Sequence, residues 1–211
     1  MKINEIYQSI QGESSYVGLP CVFVRLTYCN LRCSYCDTAY AFYEGTDMEL
    51  DEVLKSIEHY RCSLVEITGG EPLLQKEVFQ LMDELVSLKY TVLLETGGSI
   101  DVGDVNPNVI KIMDLKCPSS GECERNNYHN LDKLQPHDEL KFVIGNREDY
   151  VWSKQMLEQH RLQERFRVLF STVFQKLSPR QLVEWILEDS LNVRFQLQAH
   201  KYIWDPTQKG V

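Results

Sequence analysis

Seven short apolar runs rich in β-branched and aromatic residues constrain this chain most: Val22 to Leu26, Leu64 to Thr68, Thr91 to Leu94, Val109 to Met113, Leu140 to Ile144, Arg167 to Phe170 and Val193 to Leu197. Runs of this length bounded by turn residues read as strands. Between several of them lie helical stripes, one formed by Leu50, Val53, Leu54 and Ile57 and another by Val78, Leu81, Met82 and Leu85. Thr46 with Glu49, and Ser178 with Gln181, have capping-box spacing, and Pro179 suits a first helical position. Strand, helix and strand in alternation imply parallel pairing with right-handed crossovers, hence an open doubly wound sheet, a barrel or a partial barrel. In each case chemistry belongs at the C-terminal ends of the strands. With 211 residues, the chain is short against the roughly 250 of a full eight-unit barrel. An incomplete TIM-like barrel of parallel strands with outer helices, formed as a single domain over residues 1–211, is the expected α/β architecture. The polar stretch from Cys117 to Asn130, with Gly121, Asn126 and Asn127, reads as a mobile loop.

The net charge of −9 repels polyanions, so neither a nucleic acid nor an anionic membrane face is expected as a partner. A small anionic substrate remains compatible with local cations such as Arg25, Lys116 or Lys201. Met1 to Ile6 carries an acid and polar residues where a signal peptide needs an apolar run, and no apolar stretch of about 18 residues occurs, so a cytoplasmic protein is expected. Seven cysteines, an odd number, then favour reduced thiols and metal ligation over a disulfide framework.

Three of those thiols, Cys29, Cys33 and Cys36, are separated by three and two residues, a spacing that converges on one metal centre if the backbone curls around it. The loop follows the run Val22 to Leu26, just past a strand end. Iron–sulfur clusters and structural zinc ordinarily take four protein ligands, so a triad alone leaves one position open. The competing reading is a zinc-stabilised binding module with a distant fourth ligand, Cys62, Cys117 or His59.

The triad with Tyr35 before its last cysteine resembles the radical S-adenosylmethionine superfamily, and Thr68-Gly69-Gly70-Glu71-Pro72 resembles that superfamily's GGE motif, which meets the amino end of S-adenosylmethionine. The segments Tyr7 to Ser14, Gly18-Leu19-Pro20, Cys36-Asp37-Thr38, Glu95-Thr96-Gly97-Gly98, Asp114-Leu115-Lys116 and Gln198 to Tyr202 extend the likeness to nearly the whole chain. Together they resemble the 7-carboxy-7-deazaguanine synthases. The resemblance implies a radical S-adenosylmethionine core, a [4Fe-4S] cluster on Cys29, Cys33 and Cys36, and Mg²⁺ held by Thr38. It implies abstraction of the C6 hydrogen of 6-carboxy-5,6,7,8-tetrahydropterin, then ring contraction with loss of ammonia.

Carried over residue by residue, the resemblance places Tyr35, Cys36, Asp37, Gly70, Asp114, Leu115, Lys116, Ser171, Thr172, Val173 and Phe174 around S-adenosylmethionine. Substrate contacts map to Ile10, Gln11, Gly12, Arg25, Thr68 and Pro206. Gln11 offers an amide donor and acceptor, Glu13 can accept paired hydrogen bonds from an aminopyrimidinone edge, and Arg25 suits a carboxylate. Glu95 and His200 are the candidate pocket polar groups for catalysis. A flavodoxin- or ferredoxin-type electron donor and a homodimer are implied as partners. Some relatives carry Ser-Pro-Lys where this chain has Asp114-Leu115-Lys116, and some end near the residue matching Pro206, whereas Thr207 to Val211 follow here. An activating enzyme that makes a glycyl radical on a partner protein is the alternative with similar size and triad.

Overall fold

The computed structural model describes residues 1–211. Strands β1 (Lys2–Ile10) and β2 (Pro20–Leu26) pair antiparallel, and β3 (Thr46–Asp47) extends the outer side of β1. From β2 onward the pairing is parallel, through β4 (Leu64–Gly69), β5 (Thr91–Thr96), β6 (Ile110–Asp114), β7 (Glu139–Ile144), β8 (Arg167–Thr172) and β9 (Arg194–Phe195). The order β3-β1-β2-β4-β5-β6-β7-β8-β9 leaves both ends unpaired, so the sheet curls without closing, as the partial barrel requires. β1 has no apolar run because Asn4, Glu5 and Gln8 alternate with its apolar residues. The last run shrinks to two residues, Arg194 and Phe195.

Helices α1 (Leu50–His59), α2 (Glu77–Ser87), α3 (Arg147–Gln159) and α5 (Pro179–Glu188) lie in the connections after strands, the short α4 (Leu162–Arg165) comes directly after α3, and α6 (His200–Ile203) follows β9. Val53 and Ile57 of the first stripe and all four residues of the second are buried. α1 starts at Leu50 because Thr46 is taken into β3; its cap is Glu49, whose N–H donates to Glu52 Oε2 at 2.8 Å. Ser178 does precede α5, with Pro179 first in the helix, but its hydroxyl caps no helical N–H.

Successive strand residues point to opposite faces. The outer-facing set, including Val22, Val24, Leu26, Val65 and Ile67, joins the helices in a core of 34 buried residues. On the inner face Cys21, Phe23, Leu64, Leu93, Ile112 and Leu169 make a small apolar floor. The same inner-facing registers continue toward the C-terminal ends as Arg25, Glu66, Thr68, Glu95, Asp114 and Lys141, so the polar groups gather above that floor.

The stretch expected to be mobile, Cys117 to Asn130, instead folds as three 3₁₀ turns braced against the rest of the chain. Asn130 is fully buried; its Oδ1 accepts from Val102 N at 3.2 Å and its Nδ2 donates to Gly98 O and Ile100 O at 3.1 and 2.7 Å.

Candidate active site

The cysteine loop leaves β2 and is gripped from outside by the braced turns: Ser34 donates through Oγ to Ser119 O at 2.7 Å and through N to Ser120 O at 2.9 Å, and Arg32 N donates to Glu122 Oε1 at 2.6 Å. Cys29, Cys33 and Cys36 open into one chamber of about 440 Å³. No three His, Cys, Asp or Glu side chains converge tightly enough for a single metal ion. The distant zinc ligands are elsewhere: the Cys62 thiol meets Pro20 O at the opposite end of the sheet, Cys117 is in the main core and His59 ends α1. Three thiols on a curled loop beside an open chamber fit a cubane that keeps one iron for a ligand. Burial pushes the Cys33 thiol up to about 11 and raises Cys29 too, so loading the site releases protons.

The Gly69-Gly70-Glu71 turn forms the adjacent wall. Gly69 has φ of +140°, and a Cβ on Gly70 would lie 2.0 Å from Tyr28 O, so only glycines let β4 end this close to the cysteine loop. Glu71 faces away from the chamber. Its carboxylate accepts from Leu73 N at 3.2 Å, Thr96 Oγ1 at 2.9 Å and Gly97 N at 2.8 Å, tying the turn to the end of β5. Burial raises its pKa even so.

A second chamber of about 440 Å³ lies beside the first. Arg25, Asp37, Thr38, Thr68, Glu95 and Pro206, with Glu13 and Lys201, line both and form a shared wall. The cysteine chamber also holds Tyr35, Cys36, Gly70, Asp114, Lys116, Val173 and Phe174 of the expected cofactor set. Tyr35 OH and Asp114 Oδ1 are buried there without a hydrogen-bond partner, open valences that suit a polar cofactor. Leu115, Ser171 and Thr172 do not line it; Leu115 packs into the main core and the other two are buried at the end of β8. The second chamber takes Ile10, Gln11 and Gly12 of the expected substrate set, together with His200, one of the two candidate catalytic groups. Burial lowers the His200 pKa, leaving a neutral imidazole at pH 7. Gly12 packs on that ring and accepts from Ala199 N at 2.9 Å.

Arg25 Nε donates to Glu5 Oε1 at 2.8 Å and Nη2 to Tyr7 OH at 2.9 Å, while Tyr40 OH donates to the same Glu5 oxygen. Nη1 has no protein partner. A charged network crosses the wall. Lys141, buried, pairs with Glu95 and with Glu13 at 3.1 Å; Gln198 Nε2 donates to Glu13 Oε1 at 3.0 Å; Lys201 donates to Gln198 Oε1 and Asp37 Oδ2 at 2.9 and 2.6 Å. Burial opposes the charge on Lys141, but Glu13 and Glu95 outweigh it and hold the ammonium above its usual range. Both Glu13 oxygens are thus engaged by the protein. Deeper, Gln11 Nε2 donates to Glu66 Oε2 and Gln11 Oε1 accepts from Glu13 N at 3.0 Å.

Glu66, Lys141, Tyr7 and Tyr40 were absent from the residues expected at the site. The signal for the first two is a charge inside a strand run, Leu-Val-Glu-Ile and Leu-Lys-Phe, where both faces should be apolar in a covered parallel sheet.

The family model of the radical S-adenosylmethionine superfamily matches residues 24–114, which contain the triad and the glycine turn. The chain is 48% identical over 226 residues to the 7-carboxy-7-deazaguanine synthase of Koribacter versatilis, covering 100% of both. It is 46% identical to that of Chlorobaculum tepidum, covering 100% of this chain and 97% of the relative. The crystal structure of QueE from Escherichia coli has the same fold at 22% identity, with a TM-score of 0.78 and 94% of each chain covered.

Proposed function

Because this chain belongs to the 7-carboxy-7-deazaguanine synthase family of radical S-adenosylmethionine enzymes, we propose that its two chambers divide the reaction between cofactor and pterin. Cys29, Cys33 and Cys36 hold a [4Fe-4S] cluster beside S-adenosylmethionine, and 6-carboxy-5,6,7,8-tetrahydropterin occupies the second chamber. When bound, the cluster supplies the electron that splits S-adenosylmethionine, and the 5′-deoxyadenosyl radical so released takes the C6 hydrogen of the pterin, whose ring contracts and loses ammonia to give 7-carboxy-7-deazaguanine.

The shared wall carries this reading, since the C6–H must meet one chamber while the ring fills the other. Arg25, aimed by Glu5, Tyr7 and Tyr40, binds the substrate carboxylate through its free Nη1. Thr38 holds Mg²⁺ against the same carboxylate; that ion keeps several waters and needs few protein oxygens. Thr68, hydrogen-bonded to Glu95 at 3.3 Å, steadies the ring edge at the wall. The Lys141 network fixes Glu13 and Glu95 and excludes water, and positioning of this kind accounts for several kcal/mol of barrier. A single-electron donor of flavodoxin or ferredoxin type, a homodimer and a cytoplasmic single-domain protein complete the reading. One sheet running from Lys2 to Phe195 and the lack of any helix long and apolar enough to cross a membrane are compatible with it.

Anaerobically reconstituted protein given dithionite, S-adenosylmethionine, Mg²⁺ and the carboxytetrahydropterin is expected to yield the deazaguanine acid. Cleavage of S-adenosylmethionine without pterin turnover would overturn the substrate assignment.

A further inference from the structure

The base of the second chamber holds a carboxyl group that the mechanism above does not use. Of the acids lining that chamber, Glu13, Asp37 and Glu95 also line the cysteine chamber, whereas Glu66 belongs to the second chamber alone. It stands on β4 one step below Thr68, above the apolar floor of Phe23 and Ile112. It forms no ion pair; its one side-chain partner is Gln11 Nε2, on Oε2, which leaves Oε1 without a protein partner. Burial, then neighbouring Glu95, raises its pKa well above the carboxylate range. A buried carboxyl without a cation destabilises a fold unless a ligand's donors answer it.

The position of the C6 end decides what meets this group. Hydrogen abstraction keeps C6 and its carboxylate at the shared wall, so the far, pyrimidinone end of the pterin extends into the residues that line only the second chamber. That edge presents a 2-amino N–H, the N3–H and the O4 acceptor. A carboxylate accepts the two N–H groups side by side, and the second N–H of the Gln11 amide is left to donate to O4.

Resting on the two-chamber reading of the site, we propose that Glu66 is a specificity-determining residue: with Gln11 it reads the aminopyrimidinone edge and selects a 2-amino over a 2-oxo ring. Glu13, engaged by Lys141 and Gln198, holds the wall instead of the edge.

The test is equilibrium binding, by anaerobic calorimetry on the reconstituted enzyme with S-adenosylmethionine and Mg²⁺. The probes are 6-carboxypterin and 6-carboxylumazine, which carries oxygen in place of the 2-amino group. Parent enzyme is expected to prefer the pterin by roughly 10- to 100-fold, the discrimination typical of a bidentate edge contact. Glu66→Gln should erase or reverse that preference, because an amide accepts from N3–H and donates to a 2-oxygen. Glu66→Asp should retain the preference at weaker affinity, and Gln11→Leu should weaken both probes alike, since both carry O4. An unchanged pterin-to-lumazine ratio in Glu66→Gln, with both probes weakened together, overturns the proposal and leaves Glu66 as a brace for Gln11. Failure of parent enzyme to bind either probe would overturn the pterin reading itself, which separates the two failures.

Discussion

Single carboxyl groups do opposite jobs within one site here, and their surroundings decide which. Glu71 accepts three hydrogen bonds, so Glu71→Ala strands the buried donors of Gly97 and Thr96; the expected loss is about 1–3 kcal/mol, read from urea unfolding. Lys141→Met leaves Glu13 and Glu95 without their cation, and an uncompensated buried charge costs about 3–5 kcal/mol. Glu66 should reveal itself through pH. Its pKa is higher folded than unfolded, so its contribution to stability is full below the ordinary glutamate range and is lost as pH rises through the raised value. Gln11, Glu95, Lys141 and Glu13 face it. Glu66→Gln should therefore melt above the parent at pH 8 and lose that advantage by pH 4 in thermal scans of the unliganded protein. A parent-minus-variant difference that does not change with pH would contradict the assignment. Such side chains were partly legible beforehand: Arg25, Thr68 and Gln11 sit in motifs, whereas Glu66 and Lys141 look like interruptions of ordinary strands.

Among the elements, the turns from Cys117 to Asn130 show why composition misleads. Their glycine and asparagines suggest a mobile loop, yet the partners that immobilise them, Gly98, Ile100, Val102 and Ser34, are distant in sequence and met only after folding. Asn130→Ala is expected to speed amide hydrogen exchange across Cys29 to Cys36 and to weaken retention of iron, as it loosens the turns whose Ser119, Ser120 and Glu122 hold the cysteine loop. Equal exchange in parent and variant would show the loop to be self-supporting. β1 was hidden for a related reason: its polar residues serve Arg25 and neighbouring loops, so no apolar run marks it. The displaced cap of α1 is a local contest, won when Thr46 joined the sheet and left Glu49 to start the helix.

At the scale of the whole molecule, an unclosed sheet leaves its interior accessible, and residues after α6 cover part of the opening: Pro206, Thr207, Gln208, Gly210 and Val211 all line the second chamber. Deleting residues 207–211, none of which lines the cysteine chamber, is expected to raise the KM for the carboxytetrahydropterin while leaving uncoupled S-adenosylmethionine cleavage unchanged, measured as 5′-deoxyadenosine formed without pterin. The parallel core, the loop that bears Cys29, Cys33 and Cys36 and the glycine turn at Gly69 and Gly70 are properties of the sequence by itself. Strand periodicity, thiol spacing and glycine's freedom are short-range and act within a few residues. The separation of two chambers by one wall, the engagement of Glu13 by Lys141 and the placement of Glu66 alone at the base were decided only by tertiary structure. They depend on which strands become neighbours and how far the sheet curls, and no local pattern encodes the distance between residues 13, 66 and 141.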